Sequence, residues 1–149
     1  MVNPDADDRF AIIEVLDRYA DVLDARDWAR LDDVFAPDVE MDFGAWTARG
    51  VDAVRARIRS YLDGCGPSQH LLGNYRIELD GEHPGRARSC CAIRVMHVGR
   101  GARAHVTYEM MGEYADELVR TLAGWRIARR RARAHIQLGD PSILGPGDA

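Results

Sequence analysis

Apolar residues recur at helical spacing near the start of the chain: Ile12, Val15, Leu16, Tyr19, Val22 and Leu23. At about 100° per residue they share one arc, which predicts an amphipathic first helix. Asp5 and Asp7 suit its N-cap and the positive end of its dipole. Asp17 and Asp21 lie round the far side and are expected in water. Asp24 falls just past the edge of the arc, beside Ile13 and Ala20, so periodicity leaves a solvated and a buried position equally open. Asp27 is placed to cap a short second helix, Trp28 to Phe35, ended by Pro37. Val39, Met41 and Phe43 then alternate with Glu40 and Asp42, a strand with the first three facing inward. Val51, Val54, Ile58, Tyr61 and Leu62 return to helical spacing over 51–62, and the segment from Gly64 to Pro67 stops that helix.

From His70 onward the period becomes two. Residues 70–79, 87–98, 104–121 and 125–136 read as four long strands. Glycine-containing turns separate them: Asp80 to Gly85, Gly99 to Gly101, and Ala123 with Gly124. Three helices followed by hairpin-connected strands predict an α+β domain. The expected architecture is a cone-shaped barrel: a strongly curved, mostly antiparallel sheet packed against the three N-terminal helices. A pocket for a small apolar molecule lies between the two layers. With 149 residues the chain is long enough for one core, so residues 1–149 are read as one domain. Residues 137–149, rich in Gly and Pro, are expected to be a C-terminal tail, mobile or lying over an edge.

Composition narrows the function. A formal net charge of -4 gives no face for a polyanion. The five arginines within 126–133 alternate with Ile and Ala as a strand would, without aromatic platforms, so no nucleic-acid partner is expected. All 20 basic residues are arginine, which removes Schiff-base lysine chemistry. Cys65, Cys90 and Cys91 are odd in number and lack CxxC spacing, which argues against disulfides or a zinc site and for a reducing cytoplasm. The first residues lack a basic and apolar leader pattern, and no apolar run approaches the roughly 20 residues that span a bilayer.

Little nucleophilic or cofactor chemistry is in view. No HExxH spacing, phosphate loop or GxSxG elbow is present, so no metal and no cofactor is expected. Histidine and carboxylate acid/base chemistry remains. His97 shares strand parity with Cys91, Ile93 and Val95 and points inward, where a core histidine with one hydrogen bond is the plainer reading. His70 has the opposite parity to Leu71, Tyr75, Ile77 and Leu79, which places it outward unless Gly73 marks a bulge that resets the register. His83, His105 and His135 are expected at the surface. Tyr108, Met110 and Tyr114 share an inward face. Arg130 shares a side with Ala128, Ala132, Ala134 and Ile136, with room to reach a ligand or to pair within the fold.

The run from Tyr19 to Pro37, with Asp21, Asp24, Asp27, Trp28, Leu31 and Phe35 in register, resembles the opening of the SnoaL-like group of the nuclear transport factor 2-like superfamily. The likeness continues through Met41 to Phe43, Ser68 to His70, Arg94 to His97 and Gly124 to Arg126. It spans roughly residues 10–130, and within the superfamily the closest likeness is to scytalone dehydratase. That resemblance implies that Asp24 orients a proton-moving His70 and that His97 is a second catalytic histidine, able to protonate a departing hydroxyl. Hexachlorocyclohexane dehydrochlorinase of the same superfamily has a similar Asp–His pair, with a pocket Arg near Arg130, and bile-acid 7α-dehydratase has a helix Tyr matching Tyr19. The expected lining is Tyr19, Leu23, Phe43, Trp46, Tyr108, Met110 and Arg130. Departures are equally visible. Leu23 and Phe43 stand where scytalone dehydratase has carbonyl-polarising tyrosines, and Tyr108 and Met110 where it has Ser and Asn. The catalytic Asp of ketosteroid isomerase is also replaced, by Phe43. The resemblance implies a cofactor-free lyase acting on a small apolar cyclic or aromatic substrate. A polyketide cyclase or isomerase with the same base, or a non-catalytic binding or assembly module, stands as the alternative. It further implies a homodimer or homotrimer.

Overall fold

The computed structural model describes residues 4–145. Its elements are α1 (Pro4–Ala25), β1 (Phe35–Asp42), β2 (Thr47–Arg49), α2 (Val51–Leu62), β3 (Ser68–Leu79), β4 (Arg86–Val98), β5 (Thr107–Thr121) and β6 (Gly124–Gly139). The strands form one sheet in the order β2-β1-β6-β5-β4-β3. β1 runs parallel to β6 and the other pairings are antiparallel. The sheet is mixed and does not close, so the cone is open at the β2 and β3 edges. The expected α+β class and helix-on-sheet layering hold. The arc read on α1 is the buried one: Ile12, Leu16 and Val22 are sealed against the core with Leu31, Val34 and Ile127. Among the described residues no helix is long and apolar enough to cross a membrane.

The second helix is shorter than expected. Trp28–Asp33 is a 3-10 turn, the Asp27 side chain makes no cap, and Phe35 already begins β1. Pairing with β6 decides this. The Ile127 amide donates to the Val34 carbonyl at 2.9 Å, and Phe35 lies opposite Ile127. Pro37, which has no amide hydrogen, sits in an irregular stretch where the β1–β6 register shifts between Phe35 and Glu40. β2 has three residues, too few to show a period. Asp17 is not fully in water either, because the Tyr75 hydroxyl on β3 donates to it.

Bulges decide which side chains face the helices. On β3 the register against β4 slips between Gly73 and Arg76, and Asn74 adopts a φ of 54°. Before the slip His70 faces inward and Leu71 is exposed; beyond it Tyr75, Ile77 and Leu79 pack on the core. The bulge foreseen at Gly73 exists, and it places His70 inside. β6 carries an extra residue at Ala128 and another at His135, where its pairing with β5 slips. Trp125 and Ile127 are therefore buried before the first bulge, and Arg130 and Ala132 after it. Beyond the second, Ile136 turns outward, so the single shared face expected for Ala128, Arg130, Ala134 and Ile136 does not exist.

The expected tail is mostly ordered. β6 continues to Gly139, and Asp140 caps a 3-10 turn at Pro141–Ile143 by accepting from the Ser142 amide at 2.9 Å. Arg103 donates to Asp140 and Ser142, each at 2.8 Å, and the Gly145 amide donates to the Tyr61 carbonyl at 2.9 Å. Residues 146–149 of the expected tail, and residues 1–3 of the start read for a leader, lie outside the described residues.

Gly112 sits beside the His135 bulge, where a Cβ would lie 1.9 Å from the Arg133 carbonyl oxygen. Gly112→Ala is therefore expected to cost about 1–3 kcal/mol, lowering Tm by roughly 2–4 °C per kcal/mol in a thermal melt. An unchanged Tm would show that the strands separate freely there.

Candidate active site

α1 ends against the edge strand of the sheet. Its last turn closes with the Asp27 amide donating to the Val22 carbonyl at 3.1 Å and the Arg26 amide to that of Leu23 at 3.2 Å. This double closure requires Arg26 in the left-handed region, at φ 57°. Asp24 thereby projects toward β3. An acidic residue in the last turn opposes the helix dipole, and α1 has no basic residue there to offset it. Its compensation lies across the gap. The Asp24 Oδ1 atom lies 2.6 Å from His70 Nδ1, and Oδ2 accepts from the His70 backbone amide at 2.9 Å. One carboxylate thus holds both the ring and the strand edge from which it projects. An ionised carboxylate only accepts, so in this contact Nδ1 of His70 is the donor. His70 is 8% exposed and the Asp24 side chain 26%, so the pair is sheltered and Asp24 keeps partial contact with water.

His97 stands on the neighbouring strand. Its ring centroid lies 5.5 Å from that of His70, and it stacks on Tyr108 at 6.1 Å. Its Nδ1 atom is 2.7 Å from Ser68 Oγ. Burial, then the neighbouring charges of His70 and Arg26, push its pKa down to about 3 against the opposing pull of Asp24. His97 is neutral near pH 7. Tyr108 is also kept neutral by burial, and its hydroxyl donates to Gln137 Oε1 at 2.7 Å.

The two histidines open on a cavity of about 440 Å³, a size suited to one small molecule. Tyr19, Leu23, Phe43, Trp46, Tyr108 and Met110 all line it, as expected, together with Ile58, Tyr61, Leu62 and Val95. Phe43 and Trp46 stack at 4.8 Å and form an aromatic wall. Ala134 and Gln137 reach the cavity from either side of the His135 bulge, and Pro141 and Leu144 of the C-terminal segment complete the lining. Gln137 escaped the sequence reading because residues from 137 on read as a tail, whereas β6 continues to Gly139. Ser68 lies within a motif that suggests no role for it, and no pattern in the sequence singles out Arg26.

Arg130 is the correction among the site residues. Its side chain is 0% exposed and does not line the cavity. Nε and Nη2 donate to the two Asp116 carboxylate oxygens, both at 2.8 Å. The guanidinium lies 4.4 Å from the Tyr19 ring centroid and 4.1 Å from that of Tyr114. Burial alone would discourage its charge, but Asp116 outweighs this and raises its pKa. Arg130 therefore supports the floor under Tyr19 and Tyr114 and meets no ligand. Among the described residues no group of three or more His, Cys, Asp or Glu side chains is placed to hold a metal ion.

The low pKa of His97 has a consequence for stability. The unfolded chain takes up this proton near the ordinary value of 6.5, whereas the folded chain does so only near 3. His97 therefore costs no stability above pH 6.5 and destabilises the fold progressively as the pH falls from 6.5 toward 3, by at most about 1.4 kcal/mol per pH unit. In urea titrations across that range, His97→Gln should show a shallower loss of stability than the parent. Parallel curves would mean that His97 protonates freely in the fold.

The profile of the SnoaL-like domain family matches residues 4–131. The uncharacterized protein Rv2910c of Mycobacterium tuberculosis is 34% identical over 127 residues, covering 83% of this chain and 82% of its own. A crystal structure of a candidate scytalone dehydratase from Novosphingobium aromaticivorans superposes with a TM-score of 0.81 at 20% identity, over 99% of this chain and 97% of that one. A type 3 hexachlorocyclohexane dehydrochlorinase from Novosphingobium barchaimii superposes with a TM-score of 0.75 at 16% identity, over 89% of each chain. At these identities the two structures establish the shared fold. The chain belongs to the SnoaL-like domain family and has the nuclear transport factor 2-like fold.

Proposed function

We propose that the chain is a cofactor-free lyase of the dehydratase kind, acting on a small, mostly apolar, cyclic or aromatic carbonyl compound. The observation that carries this reading is the Asp24–His70 contact at 2.6 Å beside an apolar cavity. Asp24 holds the Nδ1–H tautomer and stabilises the imidazolium that forms when Nε2 takes a proton. Two proteins of the same fold bear names that describe eliminations, one of water and one of hydrogen chloride.

The proton balance closes on His70 alone. Nε2 removes a proton α to the substrate carbonyl, and the C–H electron pair becomes the enolate double bond. The enolate then re-forms the carbonyl, the new alkene forms, and the β C–O bond breaks. The same His70 proton passes to the departing oxygen, which leaves as water. The base is regenerated and no oxidant or reductant is consumed.

Leu23 and Phe43, both cavity-lining and unable to donate a hydrogen bond, favour a substrate other than scytalone. An isomerase or cyclase would use the same base without losing water. A panel of small cyclic β-hydroxy ketones tests the reading by mass spectrometry. The product should be lighter by one water, and Asp24→Asn and His70→Ala should each lower turnover by about 10²- to 10⁴-fold with the circular dichroism spectrum unchanged. A product of unchanged mass would favour the isomerase or cyclase. Full activity in either variant would remove the proposed base.

A further inference from the structure

Resting on that reading, one question is what polarises the carbonyl when the tyrosines of the resembling enzyme are absent. The Arg26, Ser68 and His97 side chains form a chain of hydrogen bonds whose direction can be worked out. Arg26 Nη2 can only donate, and it lies 2.8 Å from the Gly66 carbonyl and 2.9 Å from Ser68 Oγ. The Ser68 hydroxyl proton must then go elsewhere. Its candidates are His97 Nδ1 at 2.7 Å and Cys65 Sγ at 3.7 Å, the second too long and too weak an acceptor to compete. Ser68 donating to Nδ1 uses the shorter of the two contacts and places the ring proton of His97 on Nε2.

The opposite edge of the His97 ring meets the cavity. Among the described residues Nε2 of His97 has no protein partner, and neither it nor Nε2 of His70 is sealed off as a buried unpaired atom. The two rings, 5.5 Å apart, thus present unlike groups to one space: a lone pair on His70 and an N–H on His97. An α C–H beside a carbonyl oxygen is the substrate fragment complementary to that pair.

Arg26 occupies a position where glycine is the usual residue. The left-handed conformation, φ 57° here, is strained for a residue with a side chain. Here the side chain donates through Nη1 to the Leu23 carbonyl and through Nη2 to Cys65 Sγ, the Gly66 carbonyl and Ser68 Oγ. Strain held at such a site suits a positioning role.

We propose that His97 is the carbonyl-polarising group, acting as a neutral Nε2–H donor, and that Arg26 and Ser68 are positioning residues that fix this tautomer. Its place in the reaction is that of an oxyanion-hole donor, which faces the enolate oxygen while His70 moves the proton. The groups facing His97 are His70 and Ser68 of β3, Tyr108 of β5, Asp24 at the end of α1 and Arg26 just beyond it.

Long-range ¹H–¹⁵N spectra of the ligand-free full chain, labelled at histidine and recorded near pH 7, read the tautomer without any substrate. His97 should show a protonated Nε2 and a bare Nδ1. Ser68→Thr, which keeps the hydroxyl, should preserve that pattern. Ser68→Ala should let the ring average between tautomers, and so should Arg26→Gly, which relieves the strained backbone. A protonated Nδ1 in the parent, or an unchanged pattern in Ser68→Ala, overturns the proposal. In the turnover that Asp24→Asn abolishes, His97→Leu should lose about 10²- to 10³-fold in kcat, as removal of one oxyanion donor does elsewhere. His97→Gln, which still offers an N–H, should recover part of it; equal loss in both would also overturn the donor role. A correct tautomer with no dependence of turnover on Asp24 would instead refute the base and leave the relay standing.

Discussion

One carboxylate ties the two layers of this fold together where its chemistry lies. Asp24 ends α1, and its two oxygens take the ring and the backbone amide of His70 on the edge strand β3. An edge strand has an unpaired side, and here a helix covers it. The other contacts along that seam are similar in kind: Tyr75 donates to Asp17, and Arg9 to the Ile77 carbonyl. The seam holds the helix against the edge strand from which His70 reaches the cavity. The same contact fixes the tautomer of His70. In the proposed reaction anchoring and activation are one interaction, so a change at Asp24 bears on both.

Around that contact the site is graded by dielectric. Arg130, Asp116, Tyr19 and Tyr114 form a buried floor in which the charged pair lies against two aromatic faces. Above it, His97 is stripped of charge by burial, while His70 keeps a carboxylate partner. The two imidazoles, 5.5 Å apart, differ in what each Nδ1 meets: a carboxylate in one case and a hydroxyl in the other. Unlike environments for like side chains are a common route to a divided acid/base pair.

Much of this was legible in the sequence where a regular period holds. The buried arc of α1, helix α2 from Val51 to Leu62 and the inward face of β4 all follow their periods. The period failed at bulges, because one inserted residue inverts every side chain beyond it. Alternation alone turns His70 outward, and the bulge at Asn74 turns it in; Gln137 lies where the strand pattern stops short of the true end of β6. Arg130 was ambiguous because its partner Asp116 lies 14 residues away on a strand whose register no local pattern reveals. Phe35 was placed in a helix because its pairing with β6 is long-range. Resemblance, not spacing, brought Asp24 and His70 together before the structure did.

The central claim is that Asp24 holds the Nδ1 proton of His70 and leaves Nε2 free as a base. Proton-detected ¹⁵N spectra of the labelled chain near pH 7 address it most directly. The account predicts a slowly exchanging, downfield Nδ1–H signal assigned to His70 that disappears or moves upfield in Asp24→Asn while the backbone amide spectrum is otherwise retained. A His70 ring protonated on Nε2 with a bare Nδ1, or an Nδ1–H signal indifferent to Asp24→Asn, would contradict it.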